Sequence, residues 1–123
     1  MSHELFEAGE YKLGGYKVQF AHWEGGEWCG AGYWQRAVVT NRRLLVFPDA
    51  RHTDQAQKIA SDDIVRVWNI CLGKRDGVLI SLKDGLRFYM LVDWSQGSKL
   101  VRDIQEMIAL PLHPRIAPRL RPV

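Results

Sequence analysis

Residues that could perform catalysis or bind a metal do not fall into a recognisable pattern in this chain. Gly30-Ala31-Gly32 begins like a dinucleotide-binding loop, but the third glycine is missing and no helical pattern follows it. The sequence contains no Gly-x-Ser-x-Gly elbow, no His-Glu-x-x-His and no pair of Cys-x-x-Cys knuckles. We therefore expect a protein that is not an enzyme and that uses no cofactor and no metal ion.

Aromatic residues provide the first candidates for a binding role. Trp23, Trp28 and Trp34 are interspersed with glycines, in a stretch that runs from the end of one predicted strand to the start of the next. A flexible loop over residues 23–32 would present amphipathic rings to a membrane interface or to a protein. In the alternative interpretation, Trp23 and Trp34 fill the mouth of the domain at the strand ends, and only Trp28 is exposed.

Two groups of basic residues are the other candidates. Lys74 and Arg75 occupy a predicted hairpin tip, where they would either contact lipid phosphate or keep a turn soluble. The proline-rich tail over residues 111–123 is a candidate peptide ligand, a basic arm for lipid, a strap for a neighbouring subunit, or a disordered end. The tail carries three arginines and no acid: Arg115, Arg119 and Arg121.

Length and composition limit the organisation of the chain. Its 123 residues, 46% hydrophobic and 25% charged, suit one globular domain over residues 1–110, followed by the tail. Two cysteines are too few for a disulfide scaffold. The N-terminus lacks the form of a secretion signal, and no run approaches the roughly 20 apolar residues of a membrane span. We expect a cytoplasmic protein that can associate peripherally with the inner membrane face.

The charge distribution argues against nucleic acid as a partner. Residues 1–110 hold 14 Lys and Arg against 14 Asp and Glu, so the net charge of +3 comes from the tail. A nucleic-acid-binding domain would carry a basic face on its folded body. The expected partners are therefore an anionic membrane surface or a protein, including another copy of the chain.

Short runs rich in Val, Ile, Leu and aromatic residues predict a mainly β fold. Asp84-Gly85 predicts a two-residue type I′ hairpin, and residues 86–92 alternate as in a strand with one buried face and one largely wet face. The predicted strands are seven: 16–22, 33–40, 43–48, 57–60, 64–72, 77–83 and 86–92.

The apolar period changes to that of a helix after the last strand. Apolar residues recur at helical spacing from Leu100 to Ile108, and Ser95 is the expected N-cap. Pro111 and Pro114 should end this helix and keep the tail extended. A sheet of this size must close or be covered. The sequence therefore predicts a partly open antiparallel barrel with the C-terminal helix across its open end.

A family resemblance agrees with this interpretation. The run Val39-Thr-Asn-Arg-Arg-Leu-Leu-Val-Phe47, followed by Ile59 and by Asp62-Asp-Ile-Val-Arg-Val67, resembles the pleckstrin-homology-like (PH-like) superfamily, and most closely its GRAM and bacterial PH-like members. The resemblance implies a seven-stranded, partly open barrel capped by one helix. Within this run, Thr40-Asn41-Arg42-Arg43 is typical of a tight turn, because Asn tolerates left-handed geometry and Thr can bond to local backbone.

The resemblance also implies where a ligand would bind. In PH-like domains the ligand mouth is usually formed by the loop that corresponds here to residues 23–32, together with either the loop at residues 49–56, which carries Arg51, or the loop at residues 73–76. Glu24 and Glu27 in the first loop would repel a polyphosphate head group. We therefore expect weak association with anionic lipid or with a membrane-linked partner. The alternative is a protein-interaction or self-assembling module with no lipid role.

Overall fold

The computed structural model describes residues 5–110, which form eight antiparallel strands and a C-terminal helix. The strands lie in the order β5-β4-β3-β1-β8-β7-β6, and β2 pairs with β1 alone. Since β5 and β6 at the two ends of this order do not pair with each other, the barrel is open. The bounds are β1 Lys12–Glu24, β2 Glu27–Gly30, β3 Gln35–Thr40, β4 Arg43–Phe47, β5 Gln57–Ala60, β6 Ile64–Leu72, β7 Arg75–Leu82, β8 Arg87–Val92 and α1 Gly97–Ala109.

The long first strand joins the two halves of the sheet. Its first part, up to Val18, pairs with β3, and its second part pairs with β8 and then with β2. Alternate residues of β1 and its neighbours point into the barrel, where they meet the apolar face of α1. The helix contributes Leu100, Val101, Ile104 and Met107 to this core. The prediction of a mainly β, partly open barrel capped by a C-terminal helix is therefore confirmed.

The predicted number of strands was wrong by one. β5 and β6 occupy the predicted residues, but the expected flexible loop over 23–32 contains the end of β1 and all of β2. Gly25 and Gly26, with φ of 64° and 84°, form a two-residue loop between the paired residues Glu24 and Glu27. Two consecutive positive φ angles are what a type I′ hairpin requires, and two glycines adopt them without steric cost.

The turn between β7 and β8 also differs from the prediction. Only Gly85 has a positive φ, and the Leu82 amide donates to the Leu86 carbonyl at 2.8 Å. The loop therefore has three residues, a type I turn closed by a left-handed glycine, rather than a two-residue type I′ turn over Asp84 and Gly85. The outer face of β8 is not largely wet either, because Leu91 is buried and Tyr89 is half-buried.

The helix begins two residues later than Ser95 and has no side-chain N-cap of its own. Instead, the Asp76 carboxylate of β7 accepts a hydrogen bond from the Gly97 amide at 2.5 Å. The negative charge of this carboxylate at the N-terminus of the helix also interacts favourably with the helix dipole. Ser95 lies in a short 3-10 turn, Asp93–Ser95, with a left-handed φ of 54°. Residues 111–123 lie outside the described residues.

The N-terminal segment, residues 5–11, is held against the β3–β4 turn by a buried ion pair. The Arg43 guanidinium donates to both Glu10 carboxylate oxygens at 2.8 Å, and the Thr40 hydroxyl donates to Glu10 at 2.6 Å. Burial alone would raise the pKa of Glu10, but these hydrogen bonds and the positive charge of Arg43 lower it to about 2. Arg43 also donates to the Leu5 carbonyl at 2.7 Å.

The turn that contains Thr40 and Asn41 has the structural role that its sequence predicts, but Asn41 contributes through its side chain and not through a left-handed backbone. The Thr40 hydroxyl accepts the Arg42 and Arg43 amides at 3.0 Å. Asn41 does not have a left-handed φ. Its side chain instead binds the N-terminal segment: it accepts a hydrogen bond from the Tyr11 amide at 2.8 Å and donates one to the Gly9 carbonyl at 3.2 Å.

Candidate functional site

Two of the three predicted tryptophans form a packed cluster on the outer face of the sheet. Trp23 and Trp28 are cross-strand partners with ring centroids 5.4 Å apart, and Trp28 also packs on Tyr89 at 4.6 Å. Trp28 is half-buried as a result, whereas Trp23 is 60% exposed. The interpretation in which only Trp28 is exposed is therefore wrong. Trp34 is half-buried in the segment between β2 and β3.

The predicted cations do not lie beside this cluster. Lys74 and Arg75 are exposed at the β6–β7 turn, and Arg51 is exposed in the separate connection between β4 and β5. Ala21 of β1 lies in one cross-strand row with Tyr89 of β8, and this row continues through Leu79 of β7 to Trp68 of β6. Trp23 and Arg75 lie on opposite sides of this row, roughly 20 Å apart along the strands at about 3.3 Å per residue.

The structure reveals an exposed aromatic residue that sequence reasoning missed. Trp94 is 84% exposed, the largest exposure among the large hydrophobic residues of the described chain. Its φ of 58° is left-handed, and so is that of Ser95. A bulky side chain in this region costs about 1–3 kcal/mol and persists only where surrounding contacts impose it. Here the Asp93 carboxylate accepts the Trp94 amide at 3.0 Å, within the turn between β8 and α1.

Trp94 and the β6–β7 turn belong to the same end of the sheet. The turn Asp93–Ser95 contacts β7 and β1, and the bond from Gly97 to Asp76 fixes the start of α1 to the residue after Arg75. Asp76 also accepts from the Asn69 amide at 2.9 Å. We call this end of the sheet the tryptophan corner; its members are Trp94 with the exposed cations Lys74, Arg75 and Lys99.

The electrostatics of the tryptophan corner favour an anionic partner. Of its two aspartates, Asp76 accepts hydrogen bonds from Gly97 and Asn69, and Asp93 accepts one from Trp94 and is half-buried. The cations are exposed. Among residues 5–110, none of the three has a carboxylate oxygen within 4.0 Å. An exposed indole beside such cations suits the interface between water and an anionic surface.

Comparison with known proteins identifies the architecture. No family model matches the chain, and no curated protein matches it in sequence. Among solved structures, the Vps36 N-terminal PH domain superposes with a TM-score of 0.61 at 17% identity, covering 84% of this chain and 85% of that one. The fold is PH-like. The C-terminal domain of an unknown protein from Leishmania infantum matches with a TM-score of 0.58 at 13% identity, covering 82% and 87%.

The PH-like fold of this chain carries a second aromatic surface besides the tryptophan corner. In one cross-strand row on the outer face, Trp68 of β6 pairs with Leu79 of β7, which pairs with Tyr89 of β8. All three are half-buried, and the Arg66 guanidinium lies 5.8 Å from the centre of the Trp68 ring. With Trp23 and Trp28 this row forms the aromatic face, a surface that crosses β6, β7, β8, β1 and β2.

The described residues do not form a recognisable metal-binding group. Among residues 5–110, no three His, Cys, Asp or Glu side chains are grouped so that they could hold a metal ion. No helix within the same residues is long and apolar enough to span a bilayer. The two cysteines are not paired: Cys29 is half-buried on β2 and Cys71 is exposed on β6.

Proposed function

We propose that this chain is a binding module that attaches peripherally to anionic membrane surfaces through the tryptophan corner. The observation that carries the proposal is Trp94, which is 84% exposed on a left-handed backbone. A side chain this exposed buries little surface and so adds little to the stability of the fold, while its left-handed backbone costs free energy. The strain therefore points to a function for the exposed ring. Tryptophan partitions to the membrane interface because its ring is apolar and its N–H stays in reach of water.

The cations of the corner add electrostatic attraction to this contact. A basic residue near an anionic membrane contributes roughly 1 kcal/mol. Lys74 and Arg75 lie at the tip of a hairpin, and Lys99 lies in the first turn of α1. One indole and a few cations give weak, salt-sensitive attachment, so stable membrane residence would need a second signal such as avidity from oligomerisation.

Vesicle sedimentation tests this proposal. Removing two of the three corner cations with K74Q/R75Q should cost about 2 kcal/mol, or about thirtyfold in affinity, in binding to phosphatidylserine vesicles at low salt. Raising the salt should weaken the wild-type chain similarly. The matched control is K83Q/R87Q, which removes two exposed cations from the other end of β7 and β8 and should leave binding within about twofold.

Two results would overturn the membrane assignment. One is a wild-type chain that stays in the supernatant with anionic vesicles at low salt. The other is a control double variant that loses as much binding as K74Q/R75Q. Either result would mean that the corner cations do not meet a membrane.

A second function, docking of a protein or of another copy of the chain, is favoured by the aromatic face. Trp23 is 60% exposed there, and its neighbours on the same face are half-buried aromatic and aliphatic residues. Aromatic residues in such a patch are typical of protein contacts. Light scattering tests self-assembly: we expect an oligomer that persists at high salt and dissociates in W23E, and a monomer at every concentration would contradict it.

A further inference from the structure

A cavity of about 470 Å³ opens on the outer face of β3 and β4. Its walls include Leu5 and Phe6 of the N-terminal segment together with Val38 and Phe47 of the sheet. Pockets of 300–1,000 Å³ with mainly apolar walls are typical of sites for small ligands. The cavity is therefore large enough for an alkyl chain.

The mouth of this cavity is cationic. Lys12 and Arg36 line it, and the same two residues, with Lys17, line an adjoining cleft of about 260 Å³. Lys17 and Arg36 are cross-strand partners on the outer face. Among residues 5–110, no carboxylate lines either cavity, and none lies within 4.0 Å of these cations. Tyr16, which also lines the cleft, donates its hydroxyl hydrogen bond to Asp103 of α1.

The apolar wall is held in place by groups that do not line the cavity. Arg43 donates to the Leu5 carbonyl at 2.7 Å, and it is itself fixed by both carboxylate oxygens of Glu10. The segment that carries Leu5 and Phe6 is therefore anchored to the sheet by a buried ion pair. A preformed wall reduces the entropy that a ligand must offset on binding.

We propose that these adjoining cavities form a binding site for a single-chain anionic amphiphile, with its alkyl chain between Phe6 and Phe47 and its anionic head at Lys12, Arg36 and Lys17. Charge complementarity selects the head: three cations share a cleft whose described lining contains no acid. Apolar walls select the chain, because burial of alkyl groups is favourable in proportion to the area removed from water. Gln96, which lies between Trp94 and α1, also lines the cleft, so the site adjoins the tryptophan corner. Its cations are not those of the corner, and it does not depend on membrane attachment.

Calorimetric titration of the full chain with dodecyl phosphate, below its micelle-forming concentration, tests the proposal. We expect saturable binding of one molecule per chain. Dodecanol, which lacks the charge, and inorganic phosphate, which lacks the chain, should each bind at least tenfold more weakly. The comparison separates a composite site from a simple apolar surface and from a simple anion site.

Two variants locate the site without disturbing the core. K12Q/R36Q neutralises two exposed residues at the mouth, and Ala50→Phe fills the cavity from an exposed loop position. Each should weaken dodecyl phosphate binding at least tenfold while leaving thermal unfolding unchanged. K74Q/R75Q should bind dodecyl phosphate like the wild type, and K12Q/R36Q should still sediment with phosphatidylserine vesicles, so the two proposals fail independently.

Three results would overturn the site: dodecyl phosphate that binds no more tightly than inorganic phosphate, several weak molecules bound per chain, or unchanged affinity in both K12Q/R36Q and A50F. Each would show that the apolar cavity and its cationic mouth do not act together on one ligand.

Discussion

The outer face of the sheet differs between the half that contains β3, β4 and β5 and the half that contains β6, β7 and β8. On β4, Leu45 and Phe47 point away from the barrel interior and are nevertheless buried, and Phe47 shares its cavity with residues of the N-terminal segment. On the other half, Trp68, Leu79 and Tyr89 remain half-exposed in the aromatic face. The first face is covered in part by the N-terminal segment and by the connection between β4 and β5, with the cavity open beside Phe47. The second keeps apolar surface available to a partner.

The difference shows what each kind of interaction is used for. The covered half relies on a buried charge pair, Glu10 with Arg43, which fixes one geometry because either partner alone would be very costly. The half with the aromatic face relies on ring contacts that each contribute only about 0.5–1.5 kcal/mol beyond burial. We therefore expect loss of the Glu10–Arg43 pair to have a larger effect on folding than loss of any single ring contact in the aromatic face.

The largest expected effect tests the covered half. Glu10→Ala removes the buried carboxylate that pairs with Arg43 and leaves only the exposed Glu7, 3.9 Å away. It should lower the free energy of unfolding by about 3–5 kcal/mol in urea denaturation. The matched control, Glu27→Ala on the exposed β1–β2 hairpin, should cost less than about 0.5 kcal/mol. Equal losses in the two variants would show that the ion pair does not hold the segment.

Acid should weaken the same half. The pKa of Glu10 is lowered from 4.5 to about 2 in the folded chain, so its contribution to stability is complete above the unfolded pKa and is lost as the pH falls toward about 2. The shift corresponds to about 3 kcal/mol. Unfolding of the wild type and of Glu10→Gln, followed from pH 6 to pH 2, measures this contribution as a difference between two curves. Parallel curves would contradict the assignment.

Trp28→Ala tests whether the aromatic face is held by ring contacts. Trp28 packs against both Trp23 and Tyr89, so its loss should cost about 2 kcal/mol in thermal or urea unfolding. Trp23→Ala removes only one of these contacts from a more exposed position, and it should cost about half as much. A larger loss in Trp23→Ala than in Trp28→Ala would mean that the contact between Trp28 and Tyr89 does not hold the face together.

The smallest expected effect has the opposite sign. Trp94→Gly relieves a left-handed backbone that glycine adopts freely, so it should raise the free energy of unfolding by about 1 kcal/mol. It should also weaken binding to phosphatidylserine vesicles, because the exposed ring is lost. A destabilised Trp94→Gly would mean that the ring supports the fold rather than a partner.

Much of the fold follows from local sequence patterns. A run rich in Ile and Val locates β6, and helical spacing locates α1, because both patterns reflect burial against the core. The strand β2 was also predictable, since Gly25-Gly26 between aromatic residues is a hairpin signal. The N-cap was not predictable: Asp76 reaches Gly97 only because β7 and α1 meet in the fold.

The candidate site was less predictable. Trp23 and Lys74 are both exposed, as a binding role requires, but the register that separates them is a property of the whole sheet. Trp94 follows an acidic residue at the end of a strand, with no aromatic neighbour to mark it. Its exposure depends on the left-handed turn between β8 and α1, which non-glycine residues rarely adopt.

Fluorescence quenching by phosphatidylserine vesicles with brominated acyl chains tests most directly which tryptophan meets the membrane. Trp94→Phe and Trp23→Phe each remove one indole while keeping an aromatic ring. We expect brominated vesicles to quench the wild type and Trp23→Phe, and the quenching to be lost in Trp94→Phe. Quenching that persists in Trp94→Phe and disappears in Trp23→Phe would contradict the assignment of the tryptophan corner.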